Sequence, residues 1–245
     1  MICVILAAGY ATRLYPLTEN FPKPLLTVGE KTILDWLTED IASSGRVERF
    51  VVISNHKFAG HFEEWAKTKP YDITVVDDGT STNETRLGAV RDLQFAIESL
   101  RLSDDLLVIA GDNVLDFSLG TLVSYAAKKQ ASCVMRYFEP SEEKLKKCGV
   151  LSLDGEDRIL DMVEKPENPP SHWCCPPFYY LKQEDVERLD HAMKEGCGTD
   201  APGSFIAWLS QKTKVYAMEM PGKRYDIGNL ESYEQVKGEY RGIVS

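Results

Sequence analysis

Four apolar runs of strand length constrain this chain most: Ile2–Ala8, Phe50–Ser54, Ile73–Val76 and Leu106–Ala110. Each is close to continuous in aliphatic residues instead of alternating, the pattern of a strand covered on both faces. Segments with helical spacing lie between them. Ile33–Ser44 ends at Gly45, a plausible helix stop. Lys57–Lys67 places Phe58, Phe62, Trp65 and Ala66 on one face, and a third helical pattern runs to about Leu100. Strands and helices in this order predict βαβ units and an α/β, Rossmann-like fold with a mixed, mostly parallel twisted sheet. Right-handed crossovers then set the loops that follow the strands along one edge, where open α/β sheets bind ligands.

The second half is less regular. Ser132–Phe138, Gly149–Leu153, Tyr179–Leu181 and Val215–Met220 read as strands, and Gln183–Lys194, Phe205–Gln211 and Leu230–Tyr240 as helices. With no internal repeat, low-complexity tract or obvious linker in 245 residues, a single domain is the simplest organisation. Residues 1–130 are expected to form mainly an NTP-binding half, and 131–245 mainly an acceptor-binding half, or lobe, that also supplies the second metal ligand.

Composition excludes some classes of function. A formal net charge of -10 lacks the basic footprint of a general nucleic-acid binder. The run Ile2–Ala8 is too short to span a membrane and has no basic flank before it, so neither a membrane segment nor a signal peptide is expected, and the setting is expected to be cytoplasmic. The six cysteines show no paired C-x-x-C spacing and are expected to be free thiols; His172, Cys174, Cys175 and Cys197 fit no standard zinc spacing.

Chemistry concentrates after the first strand. The segment Leu6-Ala7-Ala8-Gly9-Tyr10-Ala11-Thr12-Arg13-Leu14, followed by Pro22-Lys23-Pro24-Leu25-Leu26, combines small residues with two cations. Small residues let backbone N–H groups approach a phosphate chain, and Arg13 can fork onto phosphate oxygens. The segment is neither a P-loop nor a G-x-G-x-x-G fingerprint. Asp112, in Gly111-Asp112-Asn113 at the end of an apolar strand, suits a divalent metal. Asp226 lies far away in the sequence, in Tyr225-Asp226-Ile227-Gly228-Asn229, and reads either as a second metal ligand or as the N-cap of the helix near Leu230. Val163-Glu164-Lys165-Pro166 adds another charged motif.

The stretch LAAGYATRLYPLTENFPKPLL, Leu6 to Leu26, resembles the signature LAAGxxTRLxPLTxxxPKPLL of the sugar-1-phosphate nucleotidyltransferases. Tyr225–Tyr233 is similar to the WxDIGTPESY segment of that family, and Val163–Pro166 to its V-E-K-P motif. The resemblance implies the nucleotide-diphospho-sugar transferase fold and transfer of a nucleotide from an NTP to a sugar 1-phosphate or another small phosphorylated acceptor, with pyrophosphate released. It implies Arg13, Lys23 and Lys165 as catalytic residues, and Leu6, Ala8, Gly9, Thr82, Arg86 and Gly111 along the nucleotide. Glu164, Lys165 and Tyr179 would then meet the acceptor, Asp112 and Asp226 would hold Mg²⁺, and a homo-oligomer is possible.

Two places depart from that pattern. Thr80–Arg91 lacks the GLAQA glutamine of thymidylyl- and uridylyltransferases and looks more like T-x-T-G-G-R-L-x-x-V-R of glucose-1-phosphate cytidylyltransferases, matching at Thr82, Arg86, Leu87, Val90 and Arg91 but not at Asn83, Glu84 and Thr85. CTP is therefore the favoured donor, with UTP or dTTP as alternatives. Cys174–Leu181 reads C-C-P-P-F-Y-Y-L where sugar-specific members have N-A-G-I-Y, and each proline removes a backbone donor. The acceptor can then be a phosphocholine, a phosphonate or a phosphorylated amino-acid derivative, or Phe178–Leu181 is simply a core strand. Two other classes remain open: a glycosyltransferase using a sugar nucleotide, and a non-catalytic nucleotide sensor.

Overall fold

A computed structural model describes residues 1–243. In chain order it opens with β1 (Ile2–Leu6), the short strands β2 (Thr27–Val28) and β3 (Lys31–Thr32), α1 (Ile33–Ser43), β4 (Arg49–Ser54), α2 (Ala59–Lys67) and β5 (Ile73–Asp77). Next come α3 (Ala89–Leu100), β6 (Leu106–Ala110), β7 (Asn113–Leu115), α4 (Gly120–Lys129), β8 (Ser132–Phe138), α5 (Glu142–Leu145), β9 (Gly149–Leu153) and β10 (Ile159–Glu164). The chain continues through β11 (Trp173–Cys174), β12 (Phe178–Leu181), α6 (Gln183–Val186), α7 (Leu189–Lys194), α8 (Gly203–Ser210), β13 (Val215–Glu219), β14 (Arg224–Asp226) and α9 (Leu230–Glu239). The α/β class with a mixed sheet is the one the apolar runs predict.

The described residues fall into two compact units. The first takes Met1–Leu87, Ala110–Gly120 and the residues from Pro221 onward. Its parallel strands run β1–β4–β5, with Ile5 opposite Val52 and Val52 opposite Val75. Val4, Ile5 and Phe50–Ile53 are buried, as continuous apolar strands require. Helix α1 buries Ile33, Leu34, Leu37 and Ile41, the face set by helical spacing. Its N-terminus closes with a capping box, in which Thr32 Oγ1 accepts from the Asp35 N–H and Asp35 accepts from the Thr32 N–H. Full burial of side chains such as Phe50, Phe58 and Phe62 contributes about 1.5–3 kcal/mol each. A separate antiparallel ribbon pairs β7 with β14, Asp226 standing opposite Asn113.

The second unit takes Gly88–Ile109 and Thr121–Met220. Its strands run β10–β9–β11–β8–β12–β6, all antiparallel, and β13 adds to β8 in parallel. Strand β8 serves two sets of neighbours: Cys133 and Val134 pair with β12, while Tyr137 and Phe138 pair with β11. Helix α8 buries Phe205, Ile206 and Leu209.

Several expectations change in detail. The helix expected over Gln183–Lys194 is two short helices, α6 and α7, separated at Glu187–Arg188. Strand β10 escapes the hydrophobic pattern because only Ile159 and Met162 of its six residues are buried, while Leu160 and Val163 are exposed. The ribbon β7–β14 is too short to leave a periodic signal. Among the described residues, no helix is long and apolar enough to cross a membrane.

Candidate active site

The turn after β1 builds a pocket within the first unit. Leu6, Gly9, Arg13, Lys23, Asp112 and Asp226 line a cavity of about 260 Å³. The backbone here is fixed from below: the Ala7 N–H donates to the Ile53 carbonyl at 2.9 Å. Asn55, fully buried, donates from Nδ2 to the Ala8 carbonyl at 2.9 Å, and its Oδ1 accepts the Phe58 N–H at 3.1 Å just before α2. A Cβ on Gly9 would meet nothing within 4 Å, so packing does not require glycine there. The missing side chain instead leaves the backbone open to the cavity. Ala11 takes the left-handed conformation at φ 47°, a strained choice for a residue with a Cβ. It is held there because its carbonyl accepts both the Leu14 N–H at 2.9 Å and the Thr18 hydroxyl at 2.8 Å. The short turn Thr12–Leu14 buries Leu14 and leaves Arg13 exposed at the mouth. Among the described residues Arg13 pairs with no carboxylate.

Lys23 enters from a second short turn, Lys23–Leu25, closed by the Leu25 N–H on the Pro22 carbonyl at 3.1 Å. Its Nζ donates to Asp112 Oδ2 at 2.8 Å. The other Asp112 oxygen accepts from Asn113 Nδ2 at 2.6 Å. Asn113, itself buried, accepts from Arg224 Nη1 at 2.7 Å, and that same nitrogen lies 3.7 Å from Asp226 Oδ1. A chain of polar contacts thus runs from Lys23 through Asp112, Asn113 and Arg224 to Asp226. Burial pushes the Asp112 carboxyl up, but Lys23 and Arg224 outweigh it and hold the group below the usual carboxylate range.

The two carboxylates come together because Asp226 sits opposite Asn113 in the ribbon, one residue from Asp112. The helix after it is capped by Asn229, whose side chain accepts the Ser232 N–H, so the capping role considered for Asp226 belongs to Asn229. The donor set suits a hard divalent cation. Both carboxylates reach the same cavity, their side chains are 40% and 53% exposed, and each Asp112 oxygen keeps a lone pair beyond its present bond. Among the described residues no cluster of three or more His, Cys, Asp or Glu side chains is suited to a metal, so phosphate oxygens and water would complete any shell.

Gly111 lies behind this wall: its N–H donates to the Leu6 carbonyl at 3.1 Å, and a Cβ would sit 3.1 Å from Ile5 and 3.3 Å from Pro24. A side chain there would be a tight contact that the Ile5 and Pro24 side chains would have to yield to by a few tenths of an ångström. Thr82 and Arg86 do not line the cavity. They belong to an exposed turn in which the Thr82 N–H meets Thr85 Oγ1 at 3.3 Å and Arg86 Nη1 donates to the Asn83 carbonyl at 3.1 Å. The preceding loop touches the turn after β1 through Tyr10, whose hydroxyl lies 3.4 Å from Thr80 Oγ1. Asn55, Asn113 and Arg224 are site residues that the sequence reading missed. The strand β14 had no detectable pattern, and a lone asparagine after an apolar strand carries no distinctive signal.

Glu164, Lys165 and Tyr179 lie in the second unit. Glu164 ends β10 against two glycines: a Cβ on Gly149 would stand 3.0 Å from Glu164 Oε1, and one on Gly203 would stand 2.0 Å from it. Burial pushes the Glu164 carboxyl up, and Lys165 opposes this. Lys165 takes φ 48°, its N–H donating to the Cys148 carbonyl at 2.9 Å. Tyr179 is only 3% exposed on β12, and burial raises its hydroxyl well above the ordinary value, reinforced by Cys175 and Glu164.

The family model for nucleotidyl transferases matches residues 2–242. The chain belongs to that family. Among curated relatives, the bifunctional protein GlmU of Methanococcus aeolicus is 29% identical over 259 residues, covering 100% of this chain and 57% of the relative. The UTP–glucose-1-phosphate uridylyltransferase AglF of Haloferax volcanii is 27% identical, covering 97% of this chain and 95% of the relative. This nucleotidyl transferase chain spans between half and about three fifths of the length of several curated relatives it matches. A solved UDP-glucose pyrophosphorylase complexed with UDP-glucose superposes with a TM-score of 0.83 at 23% identity, covering 98% of this chain and 97% of the other, which shows a shared fold.

Proposed function

We propose that this chain transfers a nucleoside monophosphate from an NTP to a sugar 1-phosphate or another small phosphorylated acceptor, releasing pyrophosphate. The observation that carries this reading is a single cavity in which Arg13 and Lys23 meet Asp112 and Asp226 at the open end of a backbone turn. Family membership supports it, as do the names of relatives such as the uridylyltransferase AglF. In this reading residues 1–130 serve mainly the nucleotide, and 131–245 serve mainly the acceptor and supply Asp226 as the second metal ligand.

The reaction joins an acceptor phosphate oxygen to the α-phosphorus while the bond to the pyrophosphate oxygen breaks. A phosphate monoester is largely dianionic near neutral pH, its second pKa being about 6, so the attacking oxygen needs no protein base. Catalysis then rests on positioning and charge. In this reading Arg13, exposed and without a carboxylate partner among the described residues, takes the charge that develops on pyrophosphate. Lys23 is held by Asp112 and presents a fixed cation to the α/β region. Gly9 and Ala8 offer the backbone along the nucleotide, and Lys165 and Glu164 are assigned to the acceptor phosphate and hydroxyl. Mg²⁺ held by Asp112 and Asp226 would supply charge neutralisation at the phosphates.

The favoured donor is CTP, on the strength of Thr82, Arg86 and Leu87 in the loop after β5 and of Val90 and Arg91 at the start of α3. A pyrophosphate-release screen crossing four NTPs with a panel of phosphorylated acceptors tests both levels. Pyrophosphate formation with some pair supports the transferase reading. Activity with UTP or dTTP and none with CTP removes the donor assignment. Hydrolysis or transfer of a preformed sugar nucleotide, with no pyrophosphate from any pair, replaces the reading by a glycosyltransferase.

A further inference from the structure

A second cavity, about 570 Å³ against about 260 Å³ for the first, lies wholly within the second unit. Lys129 at the end of α4, Arg158 just before β10, Lys212 and Lys214 after α8, and Tyr216 on β13 all reach its wall. Arg158 bridges Tyr216 through the backbone, and Lys129 Nζ lies 4.4 Å from the Tyr216 ring centre. Two carboxylates also line it, and both are engaged. Glu184 pairs with Lys182 at 3.1 Å, while Asp185 accepts from Ser132 Oγ at 2.6 Å and lies 3.4 Å from Arg188 Nε. Lys212 is likewise paired, with Glu195 at 2.8 Å.

The remaining three cations are not neutralised. Among the described residues, Lys129, Arg158 and Lys214 have no carboxylate within 4.0 Å. Lys129 donates only to the Glu156 carbonyl, and Arg158 Nε is buried with no hydrogen-bond partner. Asp154, whose field reaches Arg158 and Lys129, already accepts the N–H groups of Glu156 and Arg158. Three unneutralised cations around one concavity stand against a chain of net charge -10. A pocket in the roughly 300–1,000 Å³ range of small-molecule sites, whose wall carries three cations without a carboxylate in contact beside two carboxylates already engaged, favours an anion.

We propose that this cavity binds a phosphorylated small molecule, its phosphate held by Lys129, Arg158 and Lys214. This site is independent of the proposed transfer reaction and is distinguished from it by the choice of background. Isothermal titration is done on the Arg13→Ala variant with two probes, inorganic phosphate and glucose 6-phosphate, in low-salt buffer. The expected result is saturable binding that weakens at least tenfold when Lys129→Gln and Lys214→Gln are added. Unchanged affinity in that variant overturns the site, as does the absence of saturable binding of either probe in the Arg13→Ala parent. Should the combined variant fail to fold by circular dichroism, Lys214→Gln alone, in an exposed loop, decides: at least a threefold loss supports the site and no loss overturns it.

Discussion

Lys23 Nζ lies 2.8 Å from Asp112 Oδ2, and the lysine is the more buried partner, its side chain 9% exposed against 40% for the aspartate. The aspartate therefore neutralises a cation that the fold has already removed from water. Removing it leaves a buried ammonium without its counter-charge.

This pair predicts a pH dependence of stability. The folded-state pKa of Asp112 lies below its ordinary value of 3.8, so its contribution is present above that value and lost as pH falls through the lower folded value. Unfolding free energies from urea titrations run from pH 5 downward should fall further for the natural chain than for Asp112→Asn, by about 1 kcal/mol after solvent screening. Equal slopes would show that the pair contributes nothing.

Arg13 should separate catalysis from folding. It is exposed and, among the described residues, has no carboxylate partner, so Arg13→Ala should move the unfolding free energy by no more than about 0.5 kcal/mol. Pyrophosphate release should drop at least about a hundredfold. Near-normal turnover would take Arg13 out of the mechanism.

Asp226 and Asn229, three residues apart, should fail in opposite ways. Asn229→Ala removes the cap on α9 and should cost about 1 kcal/mol in a denaturant titration. Asp226→Ala should leave that titration nearly unchanged while abolishing Mg²⁺-dependent turnover. A stability loss in Asp226→Ala equal to that of Asn229→Ala would argue for a structural role.

Gly203 makes room for Glu164. A methyl group there would stand 2.0 Å from Glu164 Oε1 and 2.3 Å from Met162 Cε, both movable ends of side chains, so Gly203→Ala should fold but displace the carboxyl together with the Met162 methyl. The KM for the acceptor is expected to rise about tenfold, in line with loss of a hydrogen bond to a charged group, with the KM for the NTP unchanged. Equal rises in both constants would contradict an acceptor role for Glu164.

The parts of the molecule that the sequence made legible are those where one local requirement dominates. Continuous burial marks β1, β4 and β6, and the compact run Gly9–Lys23 marks the pocket, because its small residues and two cations lie close together in the chain. The parts that stayed hidden depend on long-range pairing. Nothing in Arg224-Tyr225-Asp226 reveals that it will lie against Asn113–Leu115, so neither the ribbon nor the Asn113–Arg224 contact could be read in advance. Exposed strands such as β10 also lack the apolar alternation that betrays a strand.

The β7–β14 ribbon also sets the order in which the site can be completed during synthesis. The turn bearing Arg13 and Lys23 leaves the ribosome before Asp112. Asp226 arrives later still, just ahead of a segment in which the Tyr233 hydroxyl donates to the Thr27 carbonyl and that of Tyr240 to the Leu115 carbonyl, fastening it to residues made long before. A nascent chain halted before Pro221 would carry both cations and one carboxylate but not the second, so the pocket closes its ring of charges only once the residues past Pro221 have been made.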